Sequence, residues 1–470
     1  MDDSWLHSAL AHGREHGLEE PWLRLLLAFG GPPRSGEVLP LRRIEQGLHD
    51  PPIAAVLTGE VDAAQAEMFA RRFRSVIALL ASLGDERGRI LFVGLVSRVH
   101  QILREPGPRA LRVRAAVDYY YSHGALVMHR AAGGPPLDEL VRGAQPRAVA
   151  DGVEHLRIAG MSAAGPLHVN ALVVRGVADG RRQLRTLDTR GRGGLAQVVA
   201  EEGAVAGTSG GFFLYSEHDI AEPSRRGDPV GLLVEDGVVR NPPVFARSCL
   251  LQRDRVVIER LGLQGWTANG ARIDAVNAPG SVSVWNRAHG TEAPRAGLQV
   301  VGSTVVGHGR AIPLAGCVLT GTSSADRVAW APARPLRAGL AGGPTLLGPD
   351  PLSLVAEQFA HSAPPVTFSR DETYDQNLLP RMAAGLRPDG ALVLAAVDGR
   401  NIEQAPGMTL RGTGRLLQLL GCTRAMNLDG GSSKRMVVEG RVVDLPSTEV
   451  VAGGATEARV RPVHTAVLIH

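Results

Sequence analysis

From about residue 153 to the end, short β-rich runs recur at close spacing, and only a fold with several paired strands can accommodate them. The runs are 168–174, 182–189, 231–239, 248–258, 300–306, 391–397 and 436–443. Two of them contain turn dipeptides, Asp236-Gly237 and Glu439-Gly440, of the kind that close two-residue hairpins. One stretch breaks the texture. Residues 410–420 carry apolar side chains at helical spacing, with Thr409 as a candidate N-cap and Gly421 as a stop.

The upstream part reads differently. Residues 1 to about 130 have a helical pattern, clearest over 62–83 with Gly84 just past the end, and again over 90–103. Between 131 and 152, glycines, prolines and charged residues suit a domain boundary. The expected fold class is therefore α+β. A mostly antiparallel mixed-sheet domain over 153–470 follows a smaller, mainly helical region over 1–145, to which the sequence assigns no role.

Composition narrows the class. A chain of 470 residues suits two or three units, and 44% apolar with 21% charged residues excludes a disordered chain. Aromatics are only 4%, so the core must rely on Ala, Val and Leu. Lys434 is the only lysine among 51 basic residues, a bias that reads as that of a GC-rich genome. The net charge of +4 is mild and no basic run of five or more occurs, so nucleic acid is not an expected partner. Three distant cysteines, Cys249, Cys317 and Cys422, exclude a disulfide framework and a Cys-x-x-Cys metal knuckle. The N-terminus lacks a charged-then-apolar signal pattern, and apolar stretches such as 25–29 fall short of the ~20 residues that span a bilayer. No transmembrane segment is expected, and the default compartment is the cytoplasm.

Three motifs bear on chemistry. His12-Gly-Arg-Glu15-His16 matches a zinc-peptidase pattern, but it is polar on every side and carries Gly13, so a solvated helix is the better reading. Gly207-Thr-Ser209-Gly210-Gly211 matches the G-x-S-x-G nucleophile elbow, which needs a helix after the serine. Here a strand-like Phe212-Phe213-Leu214-Tyr215 follows, which disfavours a serine hydrolase. Asn427-Leu428-Asp429-Gly430-Gly431-Ser432-Ser433 displays a carboxylate on a Gly-Gly loop whose backbone N–H groups can hold an anion, with Asn427 and Ser433 as neutral donors. Taken alone, this segment is equally well a β-turn with an Asx hydrogen bond.

Four segments in order give the motif a context: GTSGGFF (207–213), AGGPTLLGPD (341–350), PRMAAGLRPDGALVLAAVDGR (380–400) and AMNLDGGSS (425–433). Together they resemble the phosphodiester glycosidase family, whose corresponding segments are N-G-G-F-F, a Gly-Gly-Pro stretch, R-T-A-I-G…D-G…DGR and A-L-N-L-D-G-G-G-S-S. The resemblance spans roughly 153–470. Ser209 stands where the family has Asn, Met382 where it has Thr, and Lys434 and Arg435 where small residues are usual. These two cations either add donors to the site or point to solvent at the start of the last hairpin.

The resemblance implies hydrolysis of a sugar-1-phosphodiester at its glycosidic bond, with a phosphorylated sugar or glycan as the substrate. The phosphate leaves readily, so the demanding task is to stabilise an oxocarbenium-like centre, which a carboxylate does. Asp429 is the candidate carboxylate and Arg381 the candidate bidentate phosphate clamp. Asn427 completes the catalytic set, and Ser209, Gly210, Gly211, Gly430, Gly431 and Ser433 are the candidate substrate-binding residues. A second carboxylate would come from Glu217, Asp219 or Asp188. No cofactor is firmly implied, no metal ligand is assigned, and room is left for a divalent cation. The alternative is a non-catalytic carbohydrate or phosphosugar binder, or a partner in a biosynthetic complex. Oligomeric state is not legible.

Overall fold

The computed structural model describes residues 135–470 except 163–164, 178, 214–226, 287–296, 309–316, 322–324, 354–355, 358–378, 400–404, 406, 451–455 and 459–461. The helical pattern expected over 1–130, with His12 and His16, lies outside the described residues.

The described residues form six sheets and only three α-helices, so the fold is mainly β, and the α+β class expected from sequence is corrected. The helices are short: Leu137–Gly143, Leu195–Glu201 and Leu410–Leu419. The reason lies in the glycine-rich connections, many of which pair as strands of two to four residues, such as Thr267–Ala268, Ala271–Arg272 and Ser283–Asn286. The turn dipeptides behave as hairpin closers. Asp236-Gly237 and Glu439-Gly440 have positive φ at both residues, which matches the right-handed twist of the flanking strands.

The largest sheet has seven strands in the order Pro146–Ala150, Val153–Ser162, Gly165–Val174, Leu392–Val397, Arg381–Leu386, Arg424–Leu428 and Thr345–Leu347, antiparallel throughout. Its first strand, and helix Leu137–Gly143 beside it, come from the stretch read as a boundary. Alternation gives the sheet two apolar faces. Leu172, Val174, Met382, Leu394, Met426 and Leu428 face an inner core shared with Met436, Val467 and Ile469 of a second sheet and Leu233, Leu250 and Leu340 of a third. Val169, Val393, Ala383 and Ala425 face the other way, under Leu410, Leu416 and Leu417 of helix Leu410–Leu419. The second sheet runs Arg441–Val442, Met436–Val438, Ala206–Ser209, Thr465–Ile469, Leu184–Asp188. Its outer face is covered by Val198 and Val199 of helix Leu195–Glu201. Among the described residues no helix is long and apolar enough to cross a membrane.

The three cysteines are free and buried, and desolvation pushes the thiols of Cys317 and Cys422 up to about 12, which leaves them unreactive.

Helix Leu410–Leu419 closes the outer face of the sheet that carries Asn427, and its start is fixed locally: Thr409 Oγ1 accepts a hydrogen bond from Gly412 N at 3.0 Å. Thr409→Ala should lower the free energy of urea unfolding by about 1 kcal/mol, while Thr409→Ser stays close to wild type. Equal stability of Thr409→Ala and wild type would show that the cap does not hold the helix.

Candidate active site

Backbone hydrogen bonds bring the four sequence segments to one place. Gly210 O accepts from Asp429 N at 3.0 Å, and Gly343 N donates to Asn427 O at 2.7 Å. Asn427 N donates to Pro344 O at 3.0 Å, and Gly431 N donates to Pro380 O at 2.9 Å. The contacts are too close for larger residues. A Cβ on Gly342 would lie 2.5 Å from Asn427 O, and one on Gly211 would enter the van der Waals envelope of Ala341 O. These positions need glycine for approach.

Strand pairing then sets which side chains meet. Met382 pairs with Leu428 and Ala383 with Asn427, so Arg381 begins its strand at the end where the partner strand gives way to Asp429. Met382 and Leu428 point into the inner core, and the alternating in-strand residues Arg381 and Asn427 therefore share the opposite face, next to Asp429 at the end of the strand pair. All three are buried. Arg381 Nε donates to Met408 O at 3.0 Å, which fixes one edge of the guanidinium. Asn427 Nδ2 donates to Gly343 O at 3.1 Å. Its Oδ1 is buried with no hydrogen-bond partner among the described residues. A buried carbonyl left in this state costs free energy until a donor reaches it.

The glycines of the site act through the backbone. Gly210 uses both of its peptide groups: its N–H goes to Thr465 O at 2.9 Å and its C=O takes Asp429 N. Gly211 O accepts from Thr465 Oγ1 at 3.0 Å. Gly430 O accepts from Ser433 N at 3.1 Å and Lys434 N at 3.2 Å, and Gly431 takes a φ of 55°, so the DGGSS loop winds into the 3-10 turn Gly431–Ser433. Ser433 lies in that turn, buried.

Ser209 is the last residue of strand Ala206–Ser209, and its Oγ accepts from Arg435 N at 3.1 Å. The helix that a nucleophile elbow needs does not follow Ser209 over 210–213, where Phe213 instead forms an isolated bridge with Pro229. Of the candidate second carboxylates, Asp188 ends a strand of the neighbouring sheet, where it pairs with Thr465 and forms an ion pair with Arg190 at 3.2 Å. Glu217 and Asp219 lie outside the described residues. Among the described residues, no group of three or more His, Cys, Asp or Glu side chains is arranged to hold a metal ion.

Lys434 and Arg435 do not point to solvent; each is 1% exposed. Lys434 Nζ donates to Asp398, to Asp444 Oδ2 at 2.8 Å and to Leu445 O at 2.9 Å. Arg435 Nη1 donates to Asp444 Oδ2 at 2.9 Å, and Met436 N donates to Asp444 Oδ1 at 2.6 Å. Asp398 also meets His168 Nδ1, whose Nε2 accepts from Arg157 Nε at 3.1 Å. Two buried cations thus face two buried carboxylates directly behind the Asp429 loop. Sequence reasoning missed Asp398, Asp444 and His168. The available signal was the only lysine of the chain immediately after DGGSS, with an aspartate in the DGR segment to receive it.

A second missed residue is Glu357, which is fully buried. Its carboxylate accepts from Thr345 N at 2.7 Å, Thr345 Oγ1 at 2.9 Å, Ser248 N at 2.8 Å and Ser248 Oγ at 2.9 Å. It pins the Gly-Gly-Pro segment that holds Asn427.

Residues 202–470 match the family model described as phosphodiester glycosidase. A prophage-derived uncharacterized protein of Bacillus subtilis is 42% identical over 65 residues, 14% of this chain and 10% of that protein. The chain thus spans about a tenth of that relative's length. Three solved structures are similar at low identity. A hypothetical protein from Synechocystis has a TM-score of 0.45 at 18% identity, covering 69% of this chain and 63% of that one. A putative exported protein from Burkholderia pseudomallei has 0.43 at 20%, covering 67% and 75%. The catalytic domain of zebrafish N-acetylglucosamine-1-phosphodiester alpha-N-acetylglucosaminidase, auto-inhibited by its pro-peptide, has 0.43 at 15%, covering 72% and 95%.

Removing one partner of a buried charge cluster leaves the others uncompensated, at about 3–5 kcal/mol. Asp444→Ala should therefore destabilise the protein by that order in urea unfolding, and the double change Asp444→Ala with Lys434→Met should recover part of the loss. Equal loss in the single and double variants would mean that the two charges are not coupled.

Proposed function

The chain belongs to the phosphodiester glycosidase family, and on that footing we propose that it hydrolyses a sugar-1-phosphodiester at the glycosidic bond. The observation that supports this reading is that Arg381, Asn427 and Asp429 are all buried at the end of one strand pair, with the orphaned Asn427 Oδ1 among them. An arginine, a carboxylate and an open acceptor side by side suit a ligand that bears a phosphate, a carbon able to develop positive charge, and a hydroxyl.

In the proposed reaction the bond between sugar C1 and the phosphate oxygen breaks. Its electron pair leaves with the phosphate monoester, and water adds at C1, giving the free sugar and a proton. Asp429 stabilises the positive charge that develops at C1. Arg381 holds the phosphate by paired N–H donors and stabilises the charge it gains on leaving. Asn427 Oδ1 accepts from a sugar hydroxyl, which satisfies the buried carbonyl. Gly210, Gly211, Gly430 and Gly431 set the loop positions through backbone approach, Ser433 lies in the same turn, and Ser209 ties the Gly-Gly turn to Arg435. The hydroxyl of Ser209 is not the nucleophile in this scheme, so a fluorophosphonate probe should leave it unlabelled.

Asp429→Asn keeps the size of the side chain and removes its charge. Steady-state hydrolysis of a synthetic sugar-1-phosphodiester should slow by about 100-fold or more, with the melting temperature as folding control. Arg381→Ala should weaken binding as well as turnover, because the clamp acts in the ground state too. Unchanged turnover in a folded Asp429→Asn variant contradicts the assignment. A wild-type protein that binds diesters and cleaves none favours the non-catalytic phosphosugar binder.

A further inference from the structure

A cleft of about 680 Å³ opens where three sheets meet, a size within the range of small-ligand sites, about 300–1,000 Å³. One side carries Asp188, at the end of strand Leu184–Asp188, and His464, just before strand Thr465–Ile469. A second carries Arg240 of strand Val238–Asn241. The third is the turn between strands Leu298–Val301 and Thr304–His308, with Asp326 and Arg327 beside it. That turn is held firmly: Ser303 O accepts from Val328 N at 2.9 Å, Gly302 O accepts from Trp330 Nε1 at 3.0 Å, and Ser303 Oγ donates to Val239 O at 3.0 Å. None of the residues proposed for hydrolysis lines the cleft, and the Gly210 backbone, bonded to Thr465 O and to Asp429 N, stands between the two places.

The charges of the lining cancel. Asp188, Asp228 and Asp326 face Arg190, Arg240 and Arg327, and burial pushes the pKa of His464 down, so its ring is neutral at pH 7. Two of the arginines are also paired locally. Arg190 Nε donates to Asp188 Oδ2 at 3.2 Å, and Arg240 Nε donates to Glu235 Oε2 at 2.7 Å. Such pairing removes their pull on an anion, yet it uses Nε and leaves the Nη groups as donors. Asp326 and Arg327 are exposed and form no side-chain hydrogen bond or ion pair among the described residues. His464 Nδ1 is buried with no hydrogen-bond partner among the described residues. A buried lone pair is less costly to leave open than a buried N–H, so the ring proton belongs on Nε2. Pro229 and Val301 add apolar surface to these polar groups.

A ligand of either net charge would meet like charge in the same lining. A neutral polyhydroxy ligand meets no such penalty. Each of its hydroxyls can donate to a carboxylate and accept from a guanidinium, and its C–H surface can rest on Pro229 and Val301. We propose that this cleft binds a neutral saccharide, at a place separate from the hydrolytic site and independent of the hydrolase reading. Asp326 and Arg327 are its open pair, one accepting from and the other donating to neighbouring hydroxyls.

Calorimetric titration of the full chain tests this, with chitobiose in its N-acetylated form, cellobiose, maltose and mannobiose as neutral probes and glucuronate and glucosamine as charged ones. At least one neutral probe should bind wild type more tightly than either charged probe. Asp326→Ala and Arg327→Ala should each weaken that binding by roughly tenfold, the size of one lost charge-assisted contact. Both residues are exposed, and the melting temperature checks that the variants fold. Asp429→Asn should bind the same probe as wild type does. The proposal is overturned if no neutral probe binds, if a charged probe binds more tightly at the cleft, or if the Asp326 and Arg327 variants bind as wild type does. Weakening by Asp429→Asn alone would place the saccharide at the hydrolytic site and overturn it too. Failure of hydrolysis leaves the outcome unchanged, because the readout is binding.

Discussion

The Gly210 peptide is the hinge on which the site depends. Its N–H reaches Thr465 O in one strand and its C=O takes Asp429 N from a loop more than two hundred residues further along the chain. No side chain can stand there, since a Cβ on Gly210 would meet Thr465 Oγ1 at 2.7 Å. The seven-stranded sheet and the five-stranded sheet of Ala206–Ser209 thus meet at this point through backbone hydrogen bonds. The charged groups of the site inherit their positions from that join: Asp429 from the hydrogen bond itself, Arg381 from the register of its strand against Leu428 and Asn427.

Behind the join, the fold carries an unusual electrostatic load. Lys434, Arg435, Asp398 and Asp444 are all nearly inaccessible to water. Charges in such a place persist only when paired and hydrogen-bonded, and Lys434 meets that condition by using its ammonium on Asp398, Asp444 and Leu445 O. The cluster ties the start of strand Met436–Val438 to the end of strand Leu392–Val397, one on each sheet. Apolar packing between the sheets is non-directional, whereas these bonds are directional, and they fix the loop that displays Asp429.

Local signals were legible in the sequence. Thr409, helix 410–420 and the two turn dipeptides depend on neighbours a few residues away, and they appear where the pattern places them. The convergence of Ser209-Gly210-Gly211, the Gly-Gly-Pro stretch, Arg381 and the DGGSS loop followed from four segments in order rather than from any one of them. What failed was what depends on distant partners. Of the two readings of Lys434-Arg435, the solvent-facing one fails because their carboxylate partners, Asp398 and Asp444, are set by sheet packing. The bond from Arg435 N to Ser209 Oγ was equally illegible, since it joins residues more than two hundred positions apart. The α+β expectation failed because two-residue strands between glycines carry almost no periodicity to read.

In the proposed reaction the bond that breaks lies between C1 of the sugar and oxygen, with Asp429 facing the carbon and Arg381 facing the phosphate. Hydrolysis of a sugar-1-phosphodiester in water enriched with heavy oxygen reads this directly, by mass spectrometry of both products. Label is expected on the C1 hydroxyl of the released sugar, with none in the phosphate monoester. Label in the phosphate instead would mean that water attacks phosphorus, and would contradict the roles given to both residues.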